Sequence, residues 1–539
     1  MVMKKSLLYI MTVLVLGQTS VHAADLLEVY QQAQCSDPIF QQAIAQRLST
    51  KEGVPISVAT ILPNLSLTAQ PSVSRIGYAG TQFTTVIPGL TPNSFVSPRN
   101  NTLRAYTMNL SLTQTVFNFS QFSAVASQVA LSKGADATLN AALQSLMIRV
   151  ANAYFTVLKD EDNLSYSEAS KLAFAEQLAQ IKQQYDVGLK TITDVYTAQA
   201  SYDSSVANYI AAQTTLSNDR ENLRVITGVY YPHLLSLSED FPLISPQPTN
   251  VERWVKTSVQ QNWSIKASQF NVDSALQIIR QQFAGHLPTV NVAGTLGRQY
   301  LDNVNGYQTL NQRNGPGTIS TKELALNINV PIFSGGGVTA QTNQATYNYQ
   351  VAQQQLEQTI RNTINTTRQS YLSIIAGISQ ISADKQAIKS TISSLKGLEA
   401  SYQVGTETLV DVLNQQQKVF QAQTQYATDR YAFVNNILAL KQAAGTLSFD
   451  DLRGLNAWLI EKQRASAKGF THKAKKWHVK RSHNTTKKMP ALSNGIPSPS
   501  RGKVAQSAGR GDKTHHRSPS KHKVLAKNNH RSKKIIGAN

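Results

Sequence analysis

Two stretches of the chain alternate apolar and small polar residues. The first holds Leu65, Leu67 and Ala69, then Tyr106, Met108, Leu110 and Leu112, with Thr107, Asn109, Ser111 and Thr113 between them. The second holds Val290 and Val292, then Leu324, Leu326, Ile328, Val330 and Ile332, with Asn327 and Asn329 between them. Period two predicts strands with one apolar and one polar face. A loop rich in Gly, Pro, Asn and Thr near 76–101 divides the first stretch, and one near 301–320 divides the second, giving four strands. Lipid on one side and water on the other would produce this alternation. So would a half-buried hairpin of a soluble protein, and the strands alone fit both.

The remaining pattern is helical. Segments 25–60 and 251–286 each end at Leu-Pro, where proline and its restriction on the preceding residue stop a helix. Long helical stretches follow each strand pair, near 119–185 and 338–402, of roughly 100 Å each at about 1.5 Å per residue. The second carries a heptad-like seam of Tyr371, Ile374, Ile378, Ile381, Ile388, Ile392, Leu395 and Tyr402, broken by Lys385 and Glu399. The clearest part of the first is Phe174, Leu178, Ile181 and Tyr185. Shorter helices, about 192–227 and 408–444, return after Gly188 and Gly405. A leading helix and a returning helix together match one long helix, so the two are expected to lie end to end beside it.

The two halves are copies. Leu110–Phe117 matches Leu326–Phe333 at an offset of 216, and Tyr185-Asp-Val-Gly188 with Asp194-Val195 matches Tyr402-Gln-Val-Gly405 with Asp411-Val412 at 217. Leu62-Pro63 matches Leu287-Pro288 at 225. The halves therefore differ mainly in loop length. The expected organisation is a signal peptide at 1–23, a first repeat at 24–228 and an inter-repeat linker at 229–250. A second repeat at 251–445, an equatorial segment at 446–461 and a basic tail at 462–539 follow.

The chain start has Lys4 and Lys5, an apolar core from Leu7 to Leu16, and Val21-His22-Ala23 before an expected cut at Ala24. The single cysteine, Cys35, excludes an intramolecular disulfide and reads as a packed helix residue. No second run of about 18 apolar residues marks a membrane helix. The net charge of +21 belongs almost wholly to the tail, where 21 Lys and Arg stand against Asp512 alone. Residues 1–461 carry 31 basic and 30 acidic side chains, so the charge says little about the folded body. The tail is expected to be disordered, either as a solubilising extension or as a segment that binds an anionic envelope polymer.

Four strands are too few for a barrel, since single-chain outer-membrane barrels begin at about 8. An open sheet in hydrocarbon would leave unpaired edges, which lipid does not satisfy. Other copies must then complete the sheet, and closing it forces the attached helices into a hollow cylinder.

Several motifs carry a resemblance. Leu62-Pro-Asn-Leu65, Gly285-His-Leu-Pro288, Pro331-Ile-Phe-Ser-Gly-Gly336, Tyr402-Gln-Val-Gly405 with Asp411-Val-Leu413, and Ile226-Thr-Gly-Val-Tyr-Tyr-Pro232 resemble the TolC-like outer-membrane efflux protein family over about residues 24–455. The resemblance implies an α+β membrane protein of the Gram-negative outer membrane. Its homotrimer would form a 12-stranded β-barrel, four strands per chain, continuous with a long α-helical coiled-coil barrel extending into the periplasm. It implies an exit duct of a tripartite efflux pump or type I secretion system. The partners would be a periplasmic adaptor and an inner-membrane pump or ABC secretion ATPase. No enzyme activity, cofactor or metal is expected.

The family also supplies candidate positions. The helix-to-helix turns at Val187, Gly188, Leu189 and at Val404, Gly405, Thr406 would be adaptor-contact tips; glycine there also suits the backbone of such a turn. Asp411 would form an acidic ring at a narrowing pore, or serve only as an acid in a first helical turn. Asn414 stands where the family often has a second acid, so cation block should be weaker. Tyr402, Thr193 and Asp194 resemble gate-holding positions. Glu407 stands where the family pattern has an arginine, so closure must use other contacts, with Lys190 a candidate partner. Gly335 and Gly336 read as a strand-to-helix junction, because no Gly-Lys-Ser/Thr follows them. His233 and His286 lack metal-ligand spacing. An envelope structural or adhesive protein with a polyanion-binding tail remains the alternative. A nucleic-acid-binding coiled coil rests on net charge alone, and export disfavours it.

Overall fold

The computed structural model describes residues 23–77, 100–303 and 317–461. The expected signal peptide, apart from Ala23, and the basic tail lie outside these residues, as do the centres of both strand-connecting loops. The elements run α1 (Leu26–Ser36), α2 (Pro38–Ala59), β1 (Asn64–Gly77), β2 (Asn100–Phe117), α3 (Phe119–Asp186), α4 (Ile192–Thr227) and β3 (Ser236–Leu237). Then come α5 (Val251–Gln261), α6 (Trp263–Phe283), β4 (Thr289–Asn303), β5 (Gly317–Asn329), α7 (Gly337–Gln403), α8 (Leu409–Ala443), α9 (Phe449–Asn456) and β6 (Leu459–Ile460).

The long strands form one antiparallel sheet in the order β1-β2-β4-β5. Residues paired across strands share a face, so the register sorts the side chains. One face carries the rows Leu65–Leu112–Gly294–Leu324 and Leu67–Leu110–Leu296–Lys322, and beyond them Tyr106 beside Tyr300. The other carries Ser66–Ser111–Thr295–Glu323 and Thr68–Asn109–Gly297–Thr321. Leu65, Leu67, Met108, Leu296, Leu324, Leu326 and Ile328 are all exposed. The apolar face runs from Val290 to Tyr300, ten residues along β4. At about 3.3 Å per residue and a tilt near 40°, that gives a band about 25 Å tall, the height of the apolar belt of outer-membrane barrels. The second strand pair stops at Asn329, so Val330 and Ile332, expected as its last positions, fall in the connection to α7.

Each leading helical segment is two helices. Asp37 ends α1 and N-caps α2, accepting from Phe40 N–H at 2.8 Å, with Pro38 in the first turn. Asn262 ends α5 and N-caps α6, accepting from Ser264 and Ile265 N–H. These breaks are 225 residues apart, the offset of the two Leu-Pro stops, and so belong to the repeat. Asp37 is buried, and Arg149 of α3 binds it with two hydrogen bonds. Burial pushes this carboxyl up, but Arg149 and the Phe40 N–H outweigh it and hold the group below its ordinary range.

α3 has 68 residues and α7 has 67. α3 packs against α2 and α4, and α7 against α6 and α8; α6 and α8 also pack on α3. The helices thus stand as four columns in the order α2/α4, α3, α6/α8, α7, with two shorter helices stacked beside each long one. The most apolar stretch of α3 is half-buried in this packing. The main core lies at mid-height, where Leu146, Val150, Tyr154, Phe155 and Leu158 of α3 meet Tyr30, Tyr431, Val434, Leu438 and Leu452. Tyr154 Oη donates to the Leu235 carbonyl at 2.7 Å, tying α3 to the inter-repeat segment. β3 and β6 pair beside this core, joining that segment to the chain after α8. Along α7, Tyr371, Ile374 and Ile381 are buried as the seam requires; in α3, Phe174, Leu178 and Ile181 are buried but Tyr185 is exposed. Cys35 is exposed rather than packed, because it lies on the outer side of α1, away from Val29, Tyr30 and Ala33.

Candidate functional site

The end of the helices farthest from the sheet holds two related turns. Gly188 and Gly405 have φ of 77° and 83°, the left-handed region that glycine occupies without a Cβ penalty. Around the first, Gly188 N–H donates to the Tyr185 carbonyl and Leu189 N–H to the Gln184 carbonyl, both at 2.8 Å. Around the second, Gly405 N–H donates to Tyr402 O at 3.1 Å and Thr406 N–H to Ser401 O at 3.0 Å. Both are Schellman-type helix ends. A Cβ at either glycine would meet open space, so the backbone angle and not crowding selects glycine. The turns present apolar side chains outward: Val187, Leu189 and Val404 are 69%, 73% and 75% exposed.

The next helices begin with matching capping boxes. Asp194 Oδ2 accepts from Thr191 N–H at 3.0 Å, and Thr191 Oγ1 accepts from Asp194 N–H at 3.2 Å. Asp411 and Thr408 repeat this, each N–H bond being 3.3 Å. Thr-x-x-Asp at a helix start satisfies two otherwise orphaned donors. Asp194 and Asp411 are therefore structural in each chain before any role at a pore. Asp411 remains exposed.

The two tips touch. Phe174, Leu178, Ile181, Val195, Ala198, Leu409 and Leu413 form a small core, with Tyr202 and Tyr402 against it. The Lys190 ammonium lies 4.2 Å from the centre of the Tyr402 ring. Lys190, the candidate partner of Glu407, thus faces an aromatic ring instead. Glu407 is exposed and forms no ion pair or hydrogen bond among the described residues. The buried Tyr402 hydroxyl has no hydrogen-bond partner among them either.

Thr193 and Asn414 line one open cleft of 550 Å³ between α3, α4 and α8, with Tyr196, Ser201, Asn208 and Val410. No sequence pattern marks Tyr196 or Val410; Tyr196 follows the buried Val195 and is 67% exposed, a signal visible only once the buried face of α4 is known. Gly335 and Gly336 sit far from this end, at the sheet-to-α7 junction, with φ of 61° and 78°, and Gly336 caps α7. Among the described residues no group of three or more His, Cys, Asp or Glu could hold a metal ion.

A four-stranded sheet with one exposed apolar face, set on helices about 100 Å long, is the architecture that an outer-membrane channel chain requires. The sequence profile of the outer membrane efflux protein family matches residues 29–229 and 254–446. The chain is 36% identical over 462 residues to outer membrane protein TolC of Escherichia coli (strain K12), covering 84% of this chain and 89% of that one. It is 34% identical over 459 residues to TolC of Vibrio cholerae serotype O1, covering 85% and 99%. The crystal structure of the outer membrane protein VceC from Vibrio cholerae superposes with a TM-score of 0.62 at 20% identity, covering 78% of this chain and 96% of that one. This protein belongs to the outer membrane efflux protein family. It is an outer-membrane exit duct.

Proposed function

We propose that three copies close into one tunnel and pass cargo from a periplasm-spanning complex to the exterior. The sheet edges carry the proposal. β1 and β5 are the outer strands, and the four strands alternate in direction. β5 of one copy therefore meets β1 of the next antiparallel, as an all-antiparallel barrel requires. Two copies would give about 8 strands, whose interior side chains fill; three give about 12 and leave a bore. The helices agree in number, since four columns per chain also make about twelve. The edge columns expose apolar side chains that a neighbour would cover: Ile56, Tyr196, Ile210 and Val225 on α2/α4, and Tyr347, Val351 and Leu372 on α7.

In this assembly the polar sheet face lines the lumen and the apolar face meets lipid. Val187, Gly188, Leu189, Val404, Gly405 and Thr406 form the periplasmic rim that receives an adaptor protein, beyond which stands an inner-membrane pump or ABC secretion ATPase. Asp411 lies near the narrowed entrance with Asn414, Thr193 and Asp194, and Tyr402 with Lys190 takes part in closure. Glu407 then points a negative charge at the entrance. The alkaline protease secretion protein AprF of Pseudomonas aeruginosa, 26% identical over 441 residues, supports protein secretion as one class of traffic beside small-molecule efflux. Planar-bilayer recording tests the reading: purified protein should insert discrete, long-lived conductance steps, and a preparation that inserts without conducting would refute it.

A further inference from the structure

The apolar face of the sheet carries two basic side chains that its lipid contact does not explain. Arg298 on β4 pairs with Met108 and Ser320, and Lys322 on β5 pairs with Leu296. The two are therefore diagonal neighbours on one face, about 7–8 Å apart at their backbones. Both are exposed, and neither forms an ion pair or hydrogen bond among the described residues. Two further cations of this face, Arg75 and Arg104, lie beyond the Tyr106–Tyr300 pair, and Arg104 stands opposite Asp302, but no carboxylate pairs with Arg298 or Lys322. Glu323 and the polar rows face the other way. Between them Leu67, Leu110, Leu296, Arg298, Ser320 and Lys322 line an open hollow of 300 Å³.

Depth gives the position its meaning. Tyr106 and Tyr300, with ring centres 6.1 Å apart, mark the end of the apolar band away from the helices, where aromatic girdles sit at the lipid–water interface. Arg298 is two residues, and the Lys322 row four residues, on the membrane side of Tyr300. That is about 5 and about 10 Å below the girdle at a tilt near 40°. Long basic side chains reach from such depths to the headgroup layer while their stems stay among apolar groups. An unpaired cation facing lipid is costly unless an anion meets it, and the anions at that level are lipid phosphates.

Resting on the reading of this face as lipid-facing, we propose that Arg298 and Lys322 bind a lipid A phosphate of lipopolysaccharide in the outer leaflet, with an acyl chain in the hollow beside Leu67, Leu110 and Leu296. Guanidinium supplies a bidentate fork for phosphate and the ammonium a second point charge.

The test compares full-length wild type with Arg298→Gln/Lys322→Gln and with Arg298→Lys. Each is purified in detergent, loaded with lipopolysaccharide or phosphatidylglycerol, and washed at about 1 M salt, which screens non-specific attraction to the basic segment 462–539. Lipid retained per chain is then measured. The double variant should keep at most about one tenth of the wild-type lipopolysaccharide, Arg298→Lys, which keeps the charge and loses the fork, should fall between the two, and phosphatidylglycerol should wash away from all three, the tenfold loss corresponding to about 1.4 kcal/mol. Equal retention by wild type and double variant would overturn the proposal. So would phosphatidylglycerol retained as strongly and lost in the same variant. Conductance of the same preparations decides the channel reading separately: lipid retained without conductance refutes the channel and leaves this site standing.

Discussion

Lys190 holds its ammonium 4.2 Å from the centre of the Tyr402 ring and so joins the tip of the α3–α4 hairpin to that of α7–α8. The contact is exposed on one side and rests on the small tip core on the other. A cation–π pair of this kind contributes about 0.5–1 kcal/mol. Lys190→Ala should raise channel open probability about 2–5-fold, measured in single-channel recordings, while Lys190→Arg stays near wild type. Tyr402→Phe should also stay near wild type, since it keeps the ring and removes a buried hydroxyl that has no partner among the described residues. Open probability raised equally by Tyr402→Phe and Lys190→Ala would contradict this account.

The capping boxes separate two roles of one residue. Asp194 and Asp411 occupy equivalent caps, so alanine at either should cost about 1 kcal/mol of stability, seen as similar losses in thermal or denaturant unfolding. Only Asp411→Ala should abolish block of the channel by multivalent cations. Asn414→Asp should deepen it by adding a second ring of carboxylates. Strong block at millimolar trivalent cation in wild type and Asp411→Ala alike would remove Asp411 from the pore entrance.

At the turns, Gly188→Ala and Gly405→Ala should each destabilise by roughly 1–2 kcal/mol through the left-handed backbone alone. Nothing lies within 4 Å of the added Cβ. Asn replacements, which tolerate that conformation, should recover much of the loss. If alanine and asparagine variants melted alike at wild-type temperature, the positive φ would carry no weight.

Two carboxyl pairs tie long helices to their shorter neighbours: Asp160 of α3 with Asp219 of α4, and Asp384 of α7 with Asp429 of α8. Burial first, and then the hydrogen bond to Asp219, pushes Asp160 up to about 6. Asp219 moves the other way, held below its ordinary value by the hydrogen bond from Asp160, so the pair keeps one proton. A folded-state pKa above the unfolded 3.8 means that stability is fully present below pH 3.8 and is lost as pH rises through about 6. Stability, followed as the melting temperature, should therefore fall between pH 4 and 6.5, Asp160 contributing at most about 1.4 kcal/mol per pH unit to the slope. Asp160→Asn, which mimics the protonated acid, should flatten that slope. An unchanged slope in the variant would place the titration elsewhere.

The internal copy makes most of this fold legible. Offsets of 216, 217 and 225 align strands, turns and helix stops from residue identities alone. The strands show because their two faces meet different surroundings, which forces period two on residues such as Leu65, Leu67 and Leu110. The glycine turns show because a left-handed residue leaves few choices. The breaks at Asp37 and Asn262 do not stand out, although Asp-Pro is itself a capping signal at the first; the second has no proline, and Asn262 reads as an ordinary polar helix position. Lys190 over Tyr402 is not legible at all, since 212 residues separate them and no local pattern announces a contact across two hairpins. Tyr185 misleads because its apolar spacing continues past the point where the Gly188 turn carries the chain away from the core.

In the proposed assembly the sheet is unfinished in one chain and two further copies finish it. Native mass spectrometry of the full chain, extracted from membranes in mild detergent, tests it most directly. A single dominant species of three chains is predicted, and a stable monomer, or any ring with another number of chains, would contradict it.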